Sequence, residues 1–209
     1  MQYLKKYRDI MDGGEFIRDG KIISNRDYIP FDGAGSRLLF NSIREEIDNR
    51  STGVTILDYG CGHAIQWHKS VKIPNINKKL CVQEYFGEKL SGFYRYDPAH
   101  KYYNKLPTGK FDLIVIADVM EHVPLNEIDE MLSTVSSFIK ENGKVFVSIA
   151  LIPSRNVFLD GENMHITKLS PDEWVSIFKK SFPRGTQFHI WILLEELETG
   201  NKYRVIDIV

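Results

Sequence analysis

"VTILDYGCGHA", from Val54 to Ala64, is an apolar run followed by an acid and by two glycines that are one residue apart. The apolar run predicts a short buried strand that ends at Tyr59, and a helix is predicted over 64–71. Gly60 and Gly62 lie between the two, where residues without Cβ let the backbone approach a ligand closely. In an open α/β sheet, ligands bind outside the carboxyl ends of the strands. The stretch therefore predicts a small-molecule site.

The glycine pattern differs from those of two common nucleotide-binding loops. A dinucleotide fingerprint needs a glycine at position 65, where this chain has Ile65, and the Gly-Lys-Ser/Thr ending of a P-loop is absent. Asp58 precedes the loop, and an acid there would repel a pyrophosphate but favour an ammonium group. The N-terminus of the following helix is expected to offer free N–H groups to an anion. A ligand that carries an amine and a carboxylate, such as an amino-acid moiety, fits both features.

The rest of the chain alternates strands and helices. Further strands are predicted over 92–97, 111–120 and 144–150. Helices are predicted over 36–48, with apolar Leu39, Phe40, Ile43 and Ile47 at helical spacing, and less clearly over 78–90. A third helix is predicted to begin at Asn126 as N-cap and to end at Asn142-Gly143.

The C-terminal part contains a strong helix start and two strand-like runs. Ser170, Pro171 and Glu173 form a predicted capping box with proline at the first helical position. "QFHIWILLEEL" and "YRVIDIV" are joined through Gly200 and predict a hairpin. We therefore predict an α/β fold with a mainly parallel twisted sheet, helices on both faces and an antiparallel C-terminal strand.

Composition limits the class of protein. The chain has 209 residues and a formal net charge of −1, with 43% hydrophobic and 26% charged residues, values typical of one soluble globular domain. Without a basic excess, a nucleic-acid partner is not expected. The two cysteines, Cys61 and Cys81, do not form a disulfide framework, and neither a secretory signal nor a membrane span is recognised. We expect a cytoplasmic protein without a membrane partner.

Three motifs in order resemble one enzyme family. "LDYGCGHA" resembles motif I of class I S-adenosylmethionine-dependent methyltransferases, in which an acid precedes G-x-G-x-G, with Ala64 at the third glycine. "YDP" (96–98) resembles the end of their second strand, and "FDLIVIADVMEHVP" (111–124) resembles their fourth-strand motif. The terminal hairpin is similar to their antiparallel last strand. The resemblance runs from about Thr52 to the C-terminus, and the pattern is most similar to a compact bacterial and phage subgroup of unassigned substrate.

The resemblance implies S-adenosylmethionine as cofactor and a Rossmann-like fold. It implies that Asp97 holds the ribose hydroxyls, that Asp58 binds the methionine amine directly or through water, and that Asp118 contacts the ligand. The candidate cofactor-binding residues are Asp58, Tyr59, Gly60, Cys61, Gly62, Tyr96, Asp97, Pro98, Asp118 and Val119. The structural alternatives are a dipole-stabilising acid for Asp58 and turn or capping acids for Asp97 and Asp118. Only thirteen residues separate Asp97 from Phe111, where the family fits a helix and a strand, so this segment is expected to be shortened.

Two histidines are the catalytic candidates. Methyl transfer to a hydroxyl or amine requires loss of a proton, and histidine is the natural base near neutral pH. His122 follows the third strand and His165 lies in the polar loop "DGENMHIT". The alternatives are that His122 packs over the cofactor and that His165 is a solvated loop residue. No metal site is expected, because His63 and His68 do not share a helix face.

We predict a methyltransferase acting on a small-molecule or sugar-like acceptor. Residues 1–50 are expected to form an N-terminal helical or lid segment, with Tyr28 and Phe31 touching substrate, and residues 51–209 the methyltransferase domain. The alternative is a cofactor-binding module with altered chemistry that acts as a partner subunit. A nicotinamide oxidoreductase is disfavoured by Ile65 and the terminal hairpin, and nucleic-acid methylation by the absence of an "NPPY"-type segment.

Overall fold

The computed structural model describes residues 2–25, 27–72, 79–197 and 200–208. Its helices are α1 (Gln2–Met11), α2 (Phe40–Asp48), α3 (Ile65–His68), α4 (Val82–Phe86), α5 (Ile128–Ser137) and α6 (Pro171–Ser181), with short 3₁₀ helices at Ala34–Leu39, Met120–His122 and Leu125–Glu127. Its strands are β1 (Glu15–Arg18), β2 (Lys21–Ser24), β3 (Val54–Tyr59), β4 (Val71–Lys72), β5 (Lys79–Leu80), β6 (Leu90–Tyr96), β7 (Phe111–Ala117), β8 (Ile139–Ala150), β9 (Asn156–Val157), β10 (Gln187–Glu195) and β11 (Lys202–Ile208).

The central sheet has six strands in the order β11-β10-β8-β7-β3-β6. The four pairings from β10 to β6 are parallel, whereas β11 pairs antiparallel with β10 at the outer edge. The carboxyl ends of β3, β6 and β7 therefore meet at one edge of the sheet. This architecture confirms the predicted α/β fold with a mainly parallel sheet and an antiparallel C-terminal strand.

Apolar side chains cover both faces of the sheet. β7 is buried at six of its seven positions, as expected for a central parallel strand that has helices on both sides. On one face, α5 and α6 contribute Ile128, Leu132, Val135, Trp174 and Phe178. On the other face, α2 and α4 contribute Phe40, Ile43, Ile47, Val82 and Phe86. The helical spacing that predicted α2 therefore reflects burial against the sheet.

Two predicted boundaries around α5 are wrong. Asn126 does not cap this helix, because it lies inside the preceding 3₁₀ helix Leu125–Glu127. The helix ends at Ser137 rather than at Asn142-Gly143, since Ile139 already pairs with Phe111 of β7. The strand predicted over 111–120 ends at Ala117, where Asp118 adopts a φ of 53°. Pairing with a distant strand, which local sequence does not encode, decides the end of α5.

The segment between β3 and β6 is less helical than predicted. α3 has only four residues, and residues 71–72 belong to β4. Of the helix candidate over 78–90, Lys78 lies outside the described residues, Lys79–Leu80 is a strand and only Val82–Phe86 is helical. At the C-terminal end the predictions are confirmed: Ser170 and Glu173 form the capping box, and β10 and β11 form the hairpin. Residues 198–199 of its turn lie outside the described part.

An N-terminal layer covers the carboxyl edge of the sheet. β1 pairs with β2 and also with β9, which gives a separate three-stranded sheet. Ile10, Phe16, Phe158 and Met164 form its small buried core. Lys6 of α1 pairs with Asp160 at 2.5 Å and Glu162 at 2.9 Å. We call α1, the β1–β2 hairpin and residues 152–167 the cap. In the described residues, each helix is too short or too polar to cross a lipid bilayer.

Candidate active site

A cavity of about 710 Å³ lies between the carboxyl edge of the sheet and the cap. Its floor comes from the ends of β3, β6 and β7 and the turns that follow them, and its roof includes Tyr3, Tyr7 and Met11 of α1. Residues 31–35 close one side. The volume lies within the range of about 300–1,000 Å³ that is usual for small-molecule sites.

Ten of the twelve residues predicted for the site line this cavity. They are Tyr59, Gly60, Gly62, Tyr96, Asp97, Pro98, Asp118, Val119, His122 and His165. Asp58 and Cys61 do not line it, and both side chains are buried. Phe31 lines the cavity, whereas Tyr28 is 41% exposed, lies over the Arg18 guanidinium and is not part of the wall.

The N–H groups of the glycine loop are already used within the protein. Gly60 and Cys61 donate to the carbonyl of Tyr96, and Gly62 donates to Asp97 Oδ2 at 2.9 Å. The N–H groups of His63 and Ile65 donate to the carbonyls of residues 31 and 32, at 2.7 and 3.0 Å. The expectation of free N–H groups for an anion is therefore wrong. The loop serves instead as a rigid floor that segment 31–32 ties to the N-terminal part of the chain.

Ala64, which stands at the third glycine of the motif, adopts a backbone conformation that favours glycine. Its φ is 52° and its ψ 32°, a left-handed conformation that costs an L-residue roughly 1–2 kcal/mol. Ala64→Gly is expected to leave the free energy of unfolding unchanged or to raise it by up to about 1 kcal/mol, because relief of strain offsets the entropy of glycine. The control Ala117→Gly, in β7, is expected to lose about 1 kcal/mol. Urea denaturation of both variants measures the free energies of unfolding. Equal losses in the two variants would contradict backbone strain at Ala64.

Asp97 is held at the end of β6 with capacity to bind a ligand. Its Oδ1 accepts the N–H of Ala99 at 2.8 Å and its Oδ2 that of Gly62 at 2.9 Å. A carboxylate has about four acceptor positions, so two remain for hydroxyl groups of a ligand. Burial raises the pKa of Asp97, and the backbone N–H donors oppose this shift. The side chain is 7% exposed and lines the cavity.

Asp58 points away from the cavity. Its Oδ2 accepts a hydrogen bond from the Trp67 indole, and the side chain is 2% exposed. Burial raises the pKa of Asp58 to about 7, although the indole donor partly opposes the shift. Direct contact with a cofactor amine therefore requires rotation of this side chain, and contact through water remains the simpler form of that prediction.

The raised pKa of Asp58 predicts a pH-dependent stability. A carboxyl whose folded pKa lies above its unfolded value stabilises the fold at low pH, and this contribution is lost between about pH 4 and pH 7. Asp58→Asn does not titrate and should not lose stability over this range. The difference in free energy of unfolding, variant minus wild type, should therefore be larger at pH 8 than at pH 5. In Asp112→Asn the difference should not change over this range, because hydrogen bonds from Thr55 and Lys140 outweigh burial and lower the pKa of Asp112. Urea denaturation at both pH values measures this, and parallel pH profiles for the Asp58 variant and wild type would contradict it.

The cavity wall is strongly acidic. Six carboxylate residues line it: Asp32, Asp97, Asp118, Glu121, Glu127 and Glu130. No lysine or arginine occurs among the described residues of the wall. A low-dielectric cleft lined by one sign of charge focuses its potential on the ligand, so this cleft favours a cation and disfavours a phosphate or pyrophosphate.

Asp118 projects into the cavity because Gly35 leaves room for it. A Cβ on Gly35 would overlap the Asp118 carboxylate. The Ser148 hydroxyl donates to Asp118 Oδ1 at 2.7 Å and orients the group. The carboxylate is open to the cavity yet surrounded by protein, and this burial raises its pKa, opposed mainly by the Ser148 hydrogen bond.

The structure brings His122 and His165 together, 43 residues apart in sequence, with ring centroids 4.8 Å apart. The Nδ1 atom of His122 lies 2.9 Å from the carbonyl of Met164, and that of His165 lies 2.6 Å from the carbonyl of Ile152. Because a carbonyl only accepts, both Nδ1 atoms carry hydrogen and both Nε2 atoms keep a lone pair. Burial lowers the pKa of His122 to about 3, and burial also lowers that of His165. Both rings are neutral at physiological pH.

Sequence reasoning missed the roof of the cavity. Tyr3, Tyr7 and Met11 recur at intervals of four along α1, a helical spacing of aromatic and apolar residues that could have predicted this face. The Tyr7 hydroxyl donates to the Met164 carbonyl at 2.8 Å and lies 3.1 Å from His122 Nδ1. Glu121 also lines the cavity, and no role was assigned to it from the sequence.

The segment between β6 and β7 is short, as the spacing predicted. Residues 97–110 contain no helix or strand, and β6 forms the edge of the sheet. The segment turns back on itself, since Asp97 N–H donates to the Tyr103 carbonyl at 3.0 Å and the His100 ring stacks on the Tyr103 ring. Leu106 is 46% exposed and lines the cavity, which gives an apolar wall beside Asp97.

A comparison with protein families agrees with this geometry. The family model described as "Methyltransferase domain" matches residues 31–182, well over half of the chain. No curated protein and no solved structure gives a significant match. The chain belongs to the class I S-adenosylmethionine-dependent methyltransferases. The family implies S-adenosylmethionine as the methyl donor and methylation as the general activity.

Proposed function

We propose that the protein binds S-adenosylmethionine in the cavity and methylates a hydroxyl group of an uncharged small-molecule or sugar-like acceptor. The acidic wall carries this proposal, because six carboxylates line the cavity without a described lysine or arginine. The cofactor carries a sulfonium and an ammonium group, and both positive charges match such a wall. When bound, it supplies an electrophilic methyl group on sulfur.

The residues at the ends of the strands fit the parts of this cofactor. Asp97 retains two acceptor positions for the ribose hydroxyls, and Leu106 provides an apolar surface for the adenine beside it. Gly60 and Gly62 form the floor beneath the methionine moiety, and Asp118 is a further acid that lines the same cavity. Tyr59 and Tyr96, with ring centroids 4.8 Å apart, extend the same surface.

The cap supports a small and uncharged acceptor. Tyr3, Tyr7 and Phe31 place aromatic rings on the roof and side of the cavity, and aromatic faces pack well against sugar rings and other small molecules. A phosphorylated acceptor or a nucleic acid would bring negative charge to an acidic wall, which is unfavourable. We therefore favour neutral hydroxyl acceptors over phosphate-bearing ones.

His122 and His165 orient the acceptor in this proposal. Each imidazole is neutral and keeps an Nε2 lone pair, so each can accept a hydrogen bond from a hydroxyl group. A general base works best when its pKa lies near the working pH, and burial moves the pKa of both rings below that range. Alignment of the hydroxyl with the methyl group is therefore the larger contribution that we assign to them.

The test combines binding with turnover. Calorimetric titration should show saturable binding of S-adenosylmethionine and S-adenosylhomocysteine, with no binding of NAD⁺ at the same concentration. A panel of neutral glycosides and their phosphorylated counterparts, with methyl-labelled cofactor, should give label transfer to neutral members only. Failure of the folded protein to bind either cofactor form would refute the proposal. Cofactor binding without transfer to any acceptor would favour a binding module that acts as a partner subunit.

A further inference from the structure

We propose that Glu121, His122 and His165 form a binding site for a divalent transition-metal cation in the floor of the cavity. One potential ligand atom from each residue lies within 4.8 Å of the others. Donor atoms that bind one ion tetrahedrally at about 2.0–2.2 Å lie about 3.3–3.6 Å apart, so side-chain rotations that shorten the largest separation by up to about 1.5 Å would complete the site.

The Glu121 carboxylate points to a missing cationic partner. The side chain is 0% exposed, and its Oε1 accepts the N–H of Ala150 at 2.8 Å. Its Oε2 is buried and has no hydrogen-bond partner among the described residues. An unpartnered buried carboxylate oxygen is costly, and a cation at this position would satisfy it.

The two histidines are already oriented as metal ligands usually are. A metal-bound imidazole commonly donates its other ring N–H to a backbone carbonyl, which fixes the tautomer and the ring orientation. His122 does this to the carbonyl of Met164, and His165 to that of Ile152. Each therefore keeps the Nε2 lone pair that a metal requires, and burial holds both rings in the neutral form.

Hydrogen bonds to the backbone hold the three residues together independently of any ion. The N–H groups of Ile166 and Thr167 donate to the Glu121 carbonyl, at 2.9 and 3.1 Å. The Thr167 hydroxyl donates to the Val123 carbonyl at 2.6 Å. These bonds fasten the loop that carries His165 to the turn that carries Glu121 and His122, so the cluster is assembled before any ion binds.

The donor set selects the class of ion. Two imidazoles and a carboxylate suit manganese, iron, cobalt, nickel or zinc, whereas calcium and magnesium prefer all-oxygen sites. Three protein ligands leave positions open to a further ligand. Resting on the proposed function, we infer that the acceptor hydroxyl takes an open position, so that with an ion bound the two histidines orient the hydroxyl through the ion rather than by direct hydrogen bonds. A cation held there would lower the pKa of that hydroxyl, whose proton would pass to water; the oxygen would bond to the methyl carbon while the S–CH₃ bond breaks and its electron pair stays on sulfur. The site itself does not depend on that role.

Manganese binding tests the site. The full chain, without a histidine tag and stripped with EDTA, is titrated with Mn²⁺ and followed by electron paramagnetic resonance and calorimetry. We expect one site in wild type and at least a roughly tenfold loss of affinity in Glu121→Gln and in His165→Gln. The control is His189→Gln, which removes a histidine that pairs with Asp207 at 2.6 Å outside the cavity wall and should bind Mn²⁺ as wild type does. Absence of a site, or equal affinity in all four proteins, overturns the proposal.

Two further readouts keep the test decisive. Pulsed electron paramagnetic resonance of the wild-type Mn²⁺ complex should show coupling to two imidazole nitrogens. This measurement does not depend on the folding of any variant, and absence of the coupling overturns the assignment. Titration with S-adenosylmethionine before and after EDTA treatment separates the two proposals. Cofactor binding without a manganese site overturns only the metal site, whereas a manganese site without cofactor affinity overturns only the methyltransferase function.

Discussion

Asp97→Ala is expected to weaken binding of S-adenosylmethionine by about 100-fold or more. Two hydroxyl hydrogen bonds to a charged acceptor contribute roughly 1.5–3 kcal/mol each, and the variant loses both. It also frees the N–H of Gly62, which Asp97 Oδ2 now accepts at 2.9 Å, so the floor under the methionine moiety loosens. Calorimetric titration of the variant and of wild type measures the change.

Two further variants show how the result for Asp97→Ala should be interpreted. Asp97→Asn keeps one acceptor oxygen and should give an intermediate affinity. Asp112→Asn is the matched control, because Asp112 also accepts a backbone N–H, that of Thr55 at 2.8 Å, but lies at the opposite end of the sheet from the cavity. Its cofactor affinity should equal that of wild type. An Asp97→Ala protein that is folded and binds the cofactor within threefold of wild type would remove Asp97 from the proposed ribose site.

Gly62→Ala is expected to lower the free energy of unfolding by more than about 2 kcal/mol and to abolish cofactor binding. Gly62 has a φ of 54°, and left-handed backbone alone costs an alanine roughly 1–2 kcal/mol. A Cβ there would also overlap the carbonyl oxygen of Phe31, a backbone atom that a hydrogen bond from His63 N–H holds in place. Segment 31–35 would then have to move away from the glycine loop, and the cavity would lose one side.

Gly109→Ala is the control that separates the cost of left-handed backbone from the cost of steric overlap with a neighbouring atom. Gly109 has a φ of 93°, and nothing lies within 4 Å of an added Cβ. This control should lose about 1 kcal/mol and bind the cofactor normally. Thermal unfolding should give Gly62→Ala a Tm at least about 5 °C below wild type. Equal Tm values for the two variants would mean that the contact between Gly62 and Phe31 does not constrain the fold.

Much of the candidate site could be predicted because its residues follow strands whose ends meet at one edge. Gly60 directly follows a predicted strand, Asp97 and Asp118 lie in the last residues of two others, and parallel topology places the three side by side. The strand ends were predicted less accurately, because the third strand was predicted to run to Met120 and stops at Ala117. The orientation of Asp58 could not be predicted, because it depends on Trp67, which packs from the next turn of the chain.

The sequence by itself determined the alternation of strands and helices, the glycine loop, the capping box at Ser170 and the family. Each of these is a local pattern of period, turn chemistry or motif, encoded within a few neighbouring residues. Only the tertiary structure decided that α1 roofs the cavity, that residues 31 and 32 accept the N–H groups of His63 and Ile65, and that His165 lies against His122 with Glu121 beside them. Those contacts join residues far apart in the chain, and only packing of the whole domain, which local pattern does not specify, brings them together.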